Sequence, residues 1–161
     1  MKHPRYWVTI GVLGLLVVLG ALAIPRAQSA GVGVFSGGSY LITINDAGGN
    51  FASRGVMTLH ADGTMSVIDS GQGGTAYYFS SQLGSWRREG DGKVVAKTID
   101  FDYPPNADVA RLDYTLSLAP GRSQMTGSIT VSTFPLQSAD ALEGEGTVLG
   151  TFAFRGELIK P

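Results

Sequence analysis

The sequence contains no cysteine, so it can form no disulfide, thiolate metal site or thiol nucleophile, and it carries no redox fingerprint of a compartment. Charge is scarce as well: 16 % of the 161 residues are Asp, Glu, Lys or Arg, and the formal net charge is −1. Three of the twelve basic residues (Lys2, Arg5, Arg26) fall in the first thirty positions, where no acid occurs, so the remainder holds nine bases against thirteen acids, net −4. Such a domain lacks the basic footprint of nucleic-acid binding, and no nucleic-acid partner is expected. Also missing are a nucleophile elbow, a phosphate loop and a His–carboxylate pair. The run Gly71-Gln72-Gly73-Gly74 lacks the following helix that would make it an anion site. No catalytic residue and no cofactor is therefore expected.

One long hydrophobic run is present. Trp7 to Ile24 is an uncharged stretch of eighteen residues, preceded by Lys2 and Arg5 and followed by Pro25 and Arg26. Positive charge ahead of an apolar run is the pattern of a secretory signal, and Ala27, Ser29 and Ala30 offer small residues for cleavage. The run also reaches the lower limit for spanning about 30 Å of hydrocarbon, so a retained hydrophobic helix is equally physical. Residues 1–30 thus read as a signal peptide or a single-pass membrane anchor. Both readings put the rest of the chain outside the cytoplasm, periplasmic, secreted or anchored, with the membrane as a partner through residues 7–24 if they are uncleaved.

Beyond a glycine-rich spacer at 31–38, short β-type runs alternate with turn residues and no segment sustains a helical period. Eight strands are expected, over 39–45, 51–60, 64–69, 82–89, 94–103, 109–119, 124–133 and 147–160. The turns His60-Ala61-Asp62-Gly63, Glu89-Gly90-Asp91-Gly92 and Pro120-Gly121 supply the backbone conformations that tight reversals need, so neighbours should pair antiparallel. Eight meandering strands can close on themselves and leave no exposed edge, which predicts an all-β, up-and-down antiparallel barrel over 39–160.

Alternation then assigns faces. Ala110, Leu112, Tyr114, Leu116 and Leu118 should point inward, opposite Arg111 and Asp113; Phe152, Phe154, Gly156 and Leu158 do the same in the last strand. In the fifth, Val95, Ile99, Phe101 and Tyr103 are expected inside together with Lys97, leaving Asp100 and Asp102 outside in a charge ladder with Arg111. The candidate lining is Tyr40, Met57, Leu59, Met65, Trp86, Phe101, Tyr103, Leu112, Tyr114, Phe152 and Phe154. Lys97, or Arg54 after a register slip, would orient a polar group of a ligand. The loops 70–81, with Tyr77, Tyr78 and Phe79, and 135–146 are long enough to cap the barrel ends or meet a partner. His60, Asp62 and Asp69 invite a metal reading, but one His without Cys is a poor start for a zinc site and a strand-end turn residue is favoured.

Thr58-Leu59-His60-Ala61-Asp62-Gly63-Thr64-Met65-Ser66-Val67, a strand, an Asp-Gly turn and a strand, is followed by Gly84-Ser85-Trp86-Arg87-Arg88. In these residues the chain resembles bacterial secreted proteins with lipocalin-like, calycin-type barrels. The resemblance, over about 39–159, implies an up-and-down barrel with an apolar cavity and transfers no catalytic residue. Three functions stay open: a module binding a small hydrophobic ligand, a membrane-anchored accessory or structural subunit of a protein complex, and a barrel-type cyclase or isomerase working by confinement.

Overall fold

The computed structural model describes residues 36–71 and 79–161. The run from Trp7 to Ile24, its cleavage positions, and Tyr77 and Tyr78 lie outside the described residues. The described chain folds into eight strands: β1 (Gly38–Asn45), β2 (Phe51–Leu59), β3 (Thr64–Asp69), β4 (Gln82–Arg88), β5 (Lys93–Phe101), β6 (Asp108–Leu118), β7 (Gln124–Pro135) and β8 (Thr147–Leu158). Each pairs antiparallel with the next, and β1 also pairs with β8, so the sheet closes into a barrel in sequence order. The strand ends agree with those expected to within two residues because the turns are chemically explicit. At 60–63, for example, Gly63 takes a φ of +88°, its N–H donates to the His60 carbonyl (3.2 Å), and the Asp62 carboxylate accepts from the Thr64 N–H (2.9 Å).

The interior is a continuous apolar cluster fed by seven of the eight strands, with Tyr40, Ile42, Met57, Leu59, Met65, Val67, Val94, Leu116 and Met125 almost fully buried. Tyr114 and Phe154 meet edge to face with ring centroids 6.2 Å apart. Gly127 makes room for that contact, since a Cβ there would stand 2.7 Å from the Phe154 ring and 2.4 Å from the Thr115 carbonyl.

One strand is oriented opposite to expectation. In β5 the buried residues are Val94, Ala96, Thr98 and Asp100, while Lys97 faces out and Phe101 is exposed. The reason is register: β5 pairs Ala96 with Tyr114, Thr98 with Leu112 and Asp100 with Ala110, and directly paired residues share a face. Since the β6 residues face the core, so do their partners. Lys97 lies instead opposite Asp113 on the outer wall, and Tyr103, just past the strand, is also exposed.

The connection 136–146 does not cap a barrel end but is held to the outer wall. Arg111 donates from Nη1 to the carbonyls of Ala141 (3.2 Å) and Gly144 (2.9 Å), pairs through Nε with Asp113 (2.9 Å), and lies over the Phe134 ring at 5.0 Å. Lys97 donates to the Leu142 carbonyl and to Glu143 (3.0 Å). Val109, Phe134 and Ser132 are buried on this side, apart from the main interior cluster.

Candidate functional site

The two ends of the barrel differ. At the end formed by the turns 60–63, 89–92 and 119–123, large side chains fill the lumen. Trp86 packs against the core there and donates its indole N–H to the His60 carbonyl (2.9 Å), and the Tyr40 hydroxyl donates to the Arg122 carbonyl (3.1 Å). At the opposite end the side chains are shorter, and a cavity of ≈ 280 Å³ remains. It reaches residues from every strand: Ile44, Ala52, Ser53, Asp69, Gln82, Asp100, Ala110, Leu112, Ile129, Val131, Leu149 and Phe152, with Gly71 and Phe79 at the loop that follows β3. Phe79 is placed by an isolated bridge to Asp102 and by the adjoining Ser80 N–H, which donates to the Phe101 carbonyl (2.9 Å).

The walls are mainly aliphatic and aromatic, and the polar groups are concentrated on β3, β4 and β5. Gln82, only 2 % exposed, turns its amide oxygen toward two donors, the Thr98 hydroxyl (3.1 Å) and the Tyr114 hydroxyl. Burial, and secondarily the negative charges of Asp69 and Asp100, hold the Tyr114 phenol well above its ordinary value, although hydrogen bonds with Thr98 and Gln82 act the other way. Asp69 accepts from Ser53 Oγ (3.1 Å) and from the Gly71 N–H (2.7 Å). Asp100 is 3 % exposed. No Lys, Arg or His contributes to the described lining.

Of the eleven residues expected to line the lumen, Leu112 and Phe152 border the cavity. Tyr114 and Phe154 are buried in the interior, Tyr114 bonded to Gln82 in the cavity wall, whereas Tyr40, Met57 and Trp86 belong to the filled part of the barrel. Lys97, Phe101 and Tyr103 are corrected: none lines the lumen, and the exposed Arg54 does not either. The expected outer ladder of Asp100 and Asp102 with Arg111 is corrected too, because Arg111 pairs with Asp113 and both aspartates are buried. His60 sits in an exposed turn beside Ser66 at the far end of β3 from Asp69. Among the described residues no group of three or more His, Cys, Asp or Glu could hold a metal ion.

Sequence reasoning missed Gln82, Asp69 and Asp100 as lumen residues. A signal for them existed, since Gln82 has the parity of Trp86, Asp69 that of Met65 and Val67, and Asp100 that of Ala96, which pairs with Trp86. Chemically the arrangement is a largely apolar pocket with a carboxylate- and amide-bearing side, of a size to hold a small molecule. No family model matches the chain, and no curated protein or solved structure matches it at a significant level.

Proposed function

We propose that this protein is an exported, calycin-like barrel that binds one small, largely apolar molecule in its end cavity. The observation that carries this reading is the asymmetry of the lumen, packed by Tyr40, Met57, Leu59, Met65 and Met125 at one end and left open over ≈ 280 Å³ at the other. Eight strands give a lumen that either fills or leaves room for one ligand, and here one end is filled and the other left open. The volume suits a compact ligand, near the lower edge of the roughly 300–1,000 Å³ common for drug-sized pockets. Export follows from the charge and hydropathy pattern of residues 1–30. In the test, the native protein is isolated, its N-terminus sequenced and its organic extract analysed by mass spectrometry. The expected result is a soluble or membrane-held extracytoplasmic chain carrying a stoichiometric apolar compound. An empty extract, with no rise in melting temperature across a library of compact lipophiles, would refute the binding role.

A second reading, an anchored accessory of a larger complex, is favoured by the outer wall. Leu41, Val56 and Ile68 are cross-strand neighbours and Leu83 lies diagonal to Ile68, a part-exposed apolar band across β1 to β4. Co-purification of the uncleaved chain with a membrane complex would support it; a cleaved monomer would exclude it.

A further inference from the structure

Granted that the cavity binds an apolar molecule, as proposed above, we propose that its ligand is an organic cation: a compact hydrophobic body bearing a protonated amine directed at Asp69 and Asp100. The argument rests on the sign of the lining. Two carboxylates border the cavity from neighbouring parts of β3 and β5, and no basic side chain of the described residues does. A cleft with apolar, low-dielectric walls focuses the field of such charges, drawing in the opposite sign and repelling its own. The attraction acts through the field, so the ligand need not displace the protein contacts of Asp69. Asp69 remains bonded to Ser53 and Gly71, yet its charge is still felt at the Tyr114 hydroxyl, as is that of Asp100.

Three further features narrow the class. Lys97, the residue that would have oriented a carboxylate-bearing ligand, is engaged outside the barrel with Leu142 and Glu143, so an anionic ligand would meet no countercharge from it. The oxygen of Gln82 is turned to Thr98 and Tyr114, so the charged groups on that wall are the two carboxylates. Phe79 and Phe152 complete the lining with aromatic rings, whose faces also favour cations.

The test uses the full chain at neutral pH and three rigid isosteres, 1-aminoadamantane, 1-adamantanol and 1-adamantanecarboxylate, compared by isothermal titration calorimetry. The amine is expected to bind about tenfold or more tightly than the alcohol, and the carboxylate to bind more weakly than both. Alcohol binding as tight as amine binding overturns the cation inference and leaves the cavity reading standing. Failure of all three to bind overturns both. In Asp69→Asn and Asp100→Asn, each checked for the wild-type circular dichroism, the amine-to-alcohol ratio should fall toward one while alcohol affinity is retained; an unchanged ratio refutes the assignment. Asp69 is the less buried of the two and supplies the answer if Asp100→Asn does not fold.

Discussion

At the scale of single residues, the interior combines a polar knot with tight apolar contacts. Tyr114 and Thr98 both donate to Gln82, so Tyr114→Phe removes one of two bonds to a buried acceptor and should lower stability by about 1 kcal/mol in urea unfolding. The same variant has a pH signature. Because burial raises the folded-state value of this phenol above its ordinary 10.0, its contribution is fully present below pH 10 and is lost as the pH climbs beyond it. Wild-type stability should therefore decline in that alkaline window, and the decline should be shallower in Tyr114→Phe, with the raised Tyr40 accounting for part of what remains. Gly127→Ala tests packing instead. Its methyl group would meet both the Phe154 ring and the Thr115 carbonyl, for an expected loss of about 1–3 kcal/mol by thermal or chemical denaturation.

At the scale of elements, β5 shows what alternation leaves undecided. A period of two says that residues alternate but not which set faces inward, and β5 offers apolar residues to both sides: Val94 and Ala96 on one, Val95, Ile99 and Phe101 on the other. The bulkier set lies outside because pairing with β6 governs the choice. A hairpin reversing near Pro105 sets Lys97 against Asp113 and thereby turns Asp100 inward, an inference open to the sequence once opposite charges are matched across strands. Strand limits and turns were legible because Gly63, Gly92 and Gly121 mark them with positive φ. The cavity was less so, since it depends on which end the long side chains of β1, β2, β3 and β7 happen to fill. The 136–146 connection yields a further prediction. Arg111→Ala releases two carbonyl contacts and uncovers Phe134, so amide exchange in this segment should accelerate and protease cleavage appear there, while β1 to β3 stay protected.

At the scale of the whole molecule, closure depends on the pairing of β1 with β8, the most distant partners in the chain, as in Tyr40 with Leu158. Contacts of such long range slow folding, and refolding is expected in the range of milliseconds to seconds by stopped-flow fluorescence of Trp86. Removing β1 would leave β2 and β8 with open edges; a chain beginning after Asn45 should self-associate, as judged by size-exclusion chromatography, where the intact barrel elutes as a discrete species.

The same seam carries a practical consequence. Gly38 and Leu158, where the barrel's first strand starts and its last one stops, lie at the filled rim, where the Ile159 N–H donates to the Ser39 carbonyl (2.8 Å), and the cavity opens at the other. A tag, a fluorophore or a solid support joined after Leu158 therefore leaves the mouth unobstructed, and a short peptide bridging the two positions would yield a permuted barrel whose new ends could be cut at 60–63, 89–92 or 119–123, the turns of the filled end, without disturbing the pocket.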